Sequence, residues 1–155
     1  DILNKLFTRF DEVVDRRGLE KIKTIGDAYM LAGGIPLPME KHATAVCHAA
    51  LDFNICVEEF NKTQDIQLAL RIGIHSGPVV AGVIGAKKFA YDAWGETVNI
   101  ASRMESEGAA GQIQISSATY ERIKNDFDCK DRGLIKMPGL GKIQTWYLNS
   151  PIGDW

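Results

Sequence analysis

One segment sets the architecture of this chain: Phe89-Ala-Tyr-Asp-Ala-Trp-Gly-Glu-Thr-Val-Asn-Ile-Ala-Ser-Arg103. Before Gly95 the side chains alternate with the period of a strand. After Gly95, apolar residues recur every three positions, as on the buried stripe of a short helix: Val98, Ala101 and Met104. The segment therefore predicts a strand, a sharp turn and a helix in immediate succession.

Three polar side chains in this segment are candidates for chemistry. Asn99 and Arg103 lie four residues apart on the predicted helix, so their side chains share one edge of it. Asp92 lies on the strand before the turn. We expect the strand, turn and helix to direct all three towards one region. Taken one by one, each also fits a solvated surface position, so the other segments of the chain decide between the two interpretations.

A second segment, Glu20-Lys-Ile-Lys-Thr-Ile-Gly-Asp-Ala-Tyr-Met-Leu-Ala-Gly-Gly34, predicts two short strands joined at Gly26-Asp27. Glycine readily adopts the backbone conformation that such a two-residue connection requires. Strict alternation places Ile22 and Lys23 on opposite faces. Lys23 would then project from a strand, and Asp27 would lie at the tip of the hairpin.

A third segment is Arg71-Ile-Gly-Ile-His-Ser-Gly-Pro-Val-Val-Ala-Gly-Val-Ile-Gly85, and its glycines indicate sharp turns or close backbone approaches at Gly77, Gly82 and Gly85. Periodicity elsewhere predicts helices over 2–14, over 43–60 and after Ser116 or Ser117. It predicts strands over 68–74, 78–84, 112–116, 127–136 and 143–149, the last two around a loop at 138–141.

Composition favours a single globular domain over residues 1–155, with 45% hydrophobic residues, 25% charged residues and a net charge of -2. That charge predicts no field for nucleic acid. The three cysteines are odd in number and show no CxxC spacing, which indicates a reducing compartment rather than disulfides or zinc. No apolar run approaches the roughly 20 residues that cross a bilayer, so we expect no membrane insertion. We expect no signal peptide.

The sequence lacks the phosphate loop of P-loop kinases and the nucleophile elbow of hydrolases. The three histidines are expected to have structural or solvent-facing roles. The chain has no initiating methionine and begins inside a predicted helix, so we expect it to be part of a longer protein.

The three segments, at 20–30, 71–85 and 91–104, together resemble the catalytic domain of class III nucleotidyl cyclases, and the likeness extends from Leu3 to Asn149. The resemblance implies an α+β fold of the ferredoxin-like cyclase type, in which helices pack on a central, mostly antiparallel sheet. It also implies a head-to-tail dimer with active sites at the interface.

The resemblance assigns roles to five residues. Asp27 would bind two catalytic divalent cations, Mg²⁺ or Mn²⁺, together with a second aspartate on an earlier strand. Lys23 and Asp92 would contact the purine. Asn99 and Arg103 would orient the ribose and stabilise the transferred phosphate. We expect Lys23 and Asp92 to meet across two copies of the chain.

Base chemistry favours ATP. Adenine presents an acceptor at N1 and a donor at N6, which match a donating Lys23 and an accepting Asp92, whereas guanine presents the reverse. The resemblance then implies attack of the ribose 3'-hydroxyl on the α-phosphate, giving cyclic AMP and pyrophosphate. We expect this chemistry in the cytoplasm, where ATP is available, under the control of an upstream sensor domain.

Two departures from the family pattern keep alternatives open. The first strand of the pattern, with its metal-binding aspartate and phosphate-cradling loop, is absent from the chain. Pro138 stands where the closing loop usually carries a lysine for the triphosphate, and Lys136 or Lys142 are the candidates to substitute for it. Besides an adenylate cyclase, the sequence is compatible with a guanylate cyclase and with a non-catalytic regulatory domain that binds nucleotide or a partner cyclase.

Overall fold

A computed structural model describes residues 1–84 and 90–153 of the chain. Gly85 and Phe89, which the sequence interpretation used, lie outside the described residues. Contacts within the chain define two compact units, Asp1–Leu68 with Val79–Gly95 and Ala69–Pro78 with Glu96–Trp155. Within the described residues, no helix is long and apolar enough to cross a bilayer.

Helices and antiparallel-rich sheets alternate along the chain, which confirms the predicted α+β class. In the described residues the elements are, in chain order, α1 (Ile2–Arg16), β1 (Glu20–Ile25), β2 (Ala28–Ala32), α2 (His42–Gln64), β3 (Ile72–Ile74), β4 (Val80–Ile84), β5 (Ala90–Trp94), α3 (Glu96–Ser106), β6 (Ile113–Ser116), α4 (Ser117–Ile123), β7 (Phe127–Met137) and β8 (Gly141–Pro151).

The first unit packs α1 and α2 together beside two hairpins, β1 with β2 and β4 with β5. Asp1 caps α1 by accepting a hydrogen bond from the amide of Leu3. One face of α1 is buried at the spacing expected of an amphipathic helix: Leu6, Phe10, Val13 and Val14. Phe10 stacks on Phe53 of α2 with ring centroids 4.0 Å apart. This aromatic contact joins the two helices.

The second unit is a four-stranded sheet in the order β3-β6-β8-β7. β3 and β6 are parallel, and the other pairs are antiparallel. All four residues of β6 are buried, as expected of a central strand. α3 packs on β3, and α4 packs on β6 and β8. β7 and β8 form a long hairpin closed by residues 138–140.

One predicted strand is shorter than its sequence alternation indicated. Alternation predicted a strand over 68–74, but β3 begins at Ile72. At Leu68 the cause is the side chain of Asn61, whose amide donates to the carbonyl of Leu68 at 2.8 Å and accepts from its N–H at 3.0 Å. Both backbone groups of Leu68 are thus occupied and cannot join a ladder.

Candidate active site

The β1–β2 hairpin has the connection that the sequence predicted. Ile25 pairs with Ala28, so the turn consists of Gly26 and Asp27 alone. Gly26 has φ +57°, a conformation that costs little at glycine. Asp27 is exposed at the tip of the hairpin.

The strict alternation predicted for β1 is wrong, because the strand contains a bulge. Lys21 pairs with Leu31 and Lys23 with Met30, which leaves Ile22 as the extra residue. Ile22 is buried, with 8% of its surface exposed, and Lys23 is half-buried. A bulge changes the direction of the side chains beside it. The direction of Lys23 is therefore set by this irregularity and not by simple alternation.

A polar contact fastens the hairpin to α1. The carboxylate of Asp11 accepts a hydrogen bond from the hydroxyl of Tyr29 at 2.6 Å and lies 3.1 Å from the ammonium of Lys21. Burial of Tyr29, and next its hydrogen bond to Asp11, raise the pKa of the phenol. The hydroxyl therefore stays protonated and donates at neutral pH. Lys21 is therefore held to α1 by this contact.

Asp92 lies on β5, where its backbone pairs with Gly82 of β4. β5 also lies beside β1 within the first unit. The strands that carry Lys23 and Asp92 are therefore neighbours in one chain. The expectation that Lys23 and Asp92 meet across two copies stays a prediction.

The turn and helix after β5 agree with the sequence prediction. Gly95 has φ +115°, which marks the break. The hydroxyl of Thr97 donates to the carbonyl of Pro78 at 2.5 Å and fixes the first turn of α3. Of the predicted apolar stripe, Met104 is fully buried and Val98 and Ala101 are half-buried, whereas Asn99 and Arg103 are exposed on one edge. α3 therefore presents an amide and a guanidinium side by side to solvent.

Close approach of α3 to β3 depends on a glycine that the sequence interpretation overlooked. A Cβ at Gly73 would lie 2.1 Å from the amide nitrogen of Glu105 and 2.4 Å from the carbonyl carbon of Met104. The predicted close approach at Gly77 is confirmed, since a Cβ there would lie 2.7 Å from the hydroxyl of Thr97. The close approach predicted at Gly82 is wrong, because a Cβ there would make only an ordinary contact with Trp94. Gly73 is thus the glycine that allows α3 to pack this close to β3.

The residues present match a divalent cation only in part. Among the described residues, no group of three or more His, Cys, Asp or Glu side chains is clustered as a metal site. Mg²⁺ is commonly bound by one or two carboxylates together with substrate phosphates and water. An exposed Asp27 fits that mode, because its hard oxygen ligands are open to a nucleotide-bound ion.

The β7–β8 hairpin tip carries two facing lysines. Lys136 and Lys142 pair directly across the two strands, and both are exposed. Pro138 is exposed in the connecting loop, and Gly139 and Gly141 have positive φ. Like charges directly opposite each other destabilise a hairpin. The pair is therefore suited to bind an anion.

The family model described as the adenylate and guanylate cyclase catalytic domain matches residues 1–150. An adenylate cyclase of Mycobacterium bovis is 47% identical over 146 residues, which are 94% of this chain and 33% of that protein. The guanylate cyclase soluble subunit beta-2 of Rattus norvegicus is 41% identical over 150 residues, which are 96% of this chain and 22% of that protein.

A solved structure with the same fold is the guanylate cyclase domain of RhGC from Catenaria anguillulae in complex with GTP. The TM-score is 0.91 at 39% sequence identity, and the match covers 97% of this chain and 82% of that chain. The chain spans a third or less of the length of these two curated relatives. Adenylate cyclases and guanylate cyclases are thus both similar to this chain.

Proposed function

The chain belongs to the adenylate and guanylate cyclase catalytic domain family, and from this premise we propose that it converts ATP to cyclic AMP and pyrophosphate. One observation carries the choice of ATP: Lys23 lies on β1, and β1 lies beside β5, the strand of Asp92. A cationic donor and an anionic acceptor on neighbouring strands match the N1 acceptor and N6 donor of adenine.

Guanine is disfavoured at the same pair of residues. Its N1 is a donor and would face the lysine, and its O6 is an acceptor and would face the aspartate. Each buried polar group left without a partner costs about 1 to 3 kcal/mol, and more when it is charged. Two such mismatches discriminate strongly between the bases.

Two exposed residues of α3 are assigned to the ribose and the phosphate. Asn99 would hold the ribose, so that its 3'-hydroxyl faces the α-phosphate. Arg103 would stabilise the negative charge that develops on the phosphoryl oxygens in the transition state. Asp27, together with the second aspartate that the family pattern places on an earlier strand, would hold two divalent cations, Mg²⁺ or Mn²⁺, against the substrate phosphates. Such ions lower the pKa of the hydroxyl and neutralise the leaving group.

The assay that tests the proposal offers ATP or GTP, each with Mn²⁺, to the full-length protein and measures both cyclic products. We expect cyclic AMP as the main product. Cyclic GMP as the main product would favour the guanylate cyclase alternative, to which the 41% identity with a guanylate cyclase subunit gives weight. Absence of either product from correctly folded dimer would favour a regulatory role.

Exchanging Lys23 for glutamate should reduce kcat/KM for ATP by about 10- to 100-fold, because one base contact becomes repulsive. The same change should raise the use of GTP, since a carboxylate accepts from guanine N1. Steady-state kinetics with both nucleotides checks this. Lys5→Glu is the control, because Lys5 is exposed on α1 and its replacement changes the net charge equally. Unchanged ATP kinetics in Lys23→Glu would show that Lys23 does not contact the base.

We further propose that Lys136 and Lys142 bind the triphosphate in place of the lysine that Pro138 replaces. Changing both to methionine should raise KM for ATP about tenfold, from the loss of charge-assisted contacts. It should also leave the melting temperature unchanged or raise it, because a repulsive cross-strand pair is removed. Lys130→Met on the same β7 is the control. An unchanged KM would refute the assignment.

A further inference from the structure

The last turn of α3 is fastened to the sheet by a buried amide. The side-chain nitrogen of Gln114, on β6, donates to the carbonyl of Met104 at 2.8 Å. Gln114 has 0% of its surface exposed. The carbonyls in the last turn of a helix lack intrahelical partners. Gln114 satisfies one of them, and that carbonyl belongs to the residue directly after Arg103.

Arg132 completes this connection from β7. Its guanidinium donates to the side-chain oxygen of Gln114 and, at 2.8 Å, to the carbonyl of Glu107 just beyond the end of α3. The donation to Gln114 fixes which way the amide points, so that its nitrogen faces Met104. A cation at the C-terminal end of a helix is also favourable for the helix dipole. Gln114 and Arg132 together therefore hold the turn that carries Arg103.

The backbone of β7 is irregular at Arg132. Asp131 pairs with Trp146 and Gly133 with Thr145, so Arg132 is the extra residue of a bulge. Gly133 has φ +98°, a conformation that favours glycine. Arg132 also lies over the ring of Tyr147, 5.1 Å from its centroid. Bulge, glycine and aromatic ring act together to direct one guanidinium to the end of α3.

We infer that Gln114 and Arg132 are positioning residues for Arg103. The inference rests on the proposed function, in which Arg103 stabilises the transition state. Displacement of a transition-state contact by about 1 Å can lower turnover by about 100-fold. Loss of the Gln114 or Arg132 contacts therefore reduces kcat, whereas binding of ATP, which depends on other residues, changes little.

The experiment uses three variants of the full-length protein. Arg132→Met removes the guanidinium at similar length. Gln114→Glu keeps the partner of Arg132 but replaces the donor to Met104 with a carboxylate oxygen. Arg132→Lys keeps the charge and should recover part of the loss. We expect kcat for ATP to fall about 10- to 100-fold in the first two, with KM within about twofold of the parent.

A double-mutant cycle with Arg103→Ala separates positioning from general stability. If Arg132 acts through Arg103, Arg103→Ala/Arg132→Met has the kcat of Arg103→Ala alone. Multiplying losses, or a lower melting temperature with unchanged kcat per folded protein, would overturn the inference. If Arg132→Met does not fold, Gln114→Glu and Arg132→Lys are judged by the same criteria. An Arg103→Ala variant with normal kcat would instead contradict the proposed function itself.

Discussion

Replacing Gly73 by alanine is expected to destabilise the second unit more than any other single methyl addition considered for this chain. The new Cβ would lie 2.1 Å from the backbone nitrogen of Glu105 and 2.4 Å from the carbonyl carbon of Met104. Backbone atoms of a packed helix cannot turn aside as a flexible side chain can, so α3 must move away from β3. Overpacking of this kind costs about 3 kcal/mol or more, which lowers the melting temperature by roughly 6 to 12 °C.

Two other glycines provide a graded control. None of the three has the positive φ that would by itself strain alanine. At Gly82 the added Cβ would lie 3.8 Å from Trp94, so the alanine variant should melt within a few degrees of the parent. At Gly77 the clash is with the hydroxyl of Thr97, 2.7 Å away, and an intermediate loss is expected. Equal melting temperatures for Gly73→Ala and Gly82→Ala would show that α3 does not approach β3 this closely.

The parts of the fold that the sequence predicted correctly are those whose physical cause lies in residues close together in the sequence. The two-residue turn at Gly26-Asp27 follows from glycine's access to positive φ, and the buried stripe of α3 follows from its three-residue spacing. The β7–β8 hairpin was predicted within two residues at each strand end, because Pro138 and two glycines mark its loop. In each case the cause and the signal lie in the same few residues.

Features that depend on distant partners were not predictable in this way. A bulge adds a residue to one strand relative to its partner, so the alternation of β1 alone cannot reveal the extra Ile22. Asn61 prevents Leu68 from entering a strand through a side chain seven residues away. Gln114 lies between two isoleucines, where alternation would place it at the surface, yet β6 is buried on both faces.

The candidate site shows the same division. Motif resemblance selected Lys23, Asp27, Asp92, Asn99 and Arg103, and the structure places each on the element that the sequence predicted. The motif resemblance did not select the residues that hold those elements in place. Asp11 and Tyr29 fasten the hairpin that carries Asp27 to α1, and Gly73 allows α3 to pack close to β3. A glycine between two isoleucines was the signal for Gly73, since glycine inside a strand often marks a close approach.

Asp27→Asn and Arg103→Ala are each expected to lower kcat by about 100- to 1000-fold, because each removes charge that the proposed transition state requires. Loss of Arg103 should leave KM nearly unchanged, as expected for a contact made only in the transition state. Steady-state kinetics on folded protein, checked by melting temperature, measures both effects. Asp27 and Arg103 are both exposed, so neither substitution opens a cavity. Arg122→Ala, an exposed arginine on α4, is the matched control.

Mixing the two inactive variants tests whether they serve one site from different copies. In a head-to-tail homodimer, a mixed dimer has one site that contains both substitutions and one that contains neither. Random exchange makes half of the dimers mixed, so activity should return to about a quarter of the parent value. If one copy supplied both Asp27 and Arg103, each site of a mixed dimer would keep one substitution and no activity would return. Recovery therefore requires an active site shared between two chains, and its absence from mixed dimers of confirmed composition would exclude one.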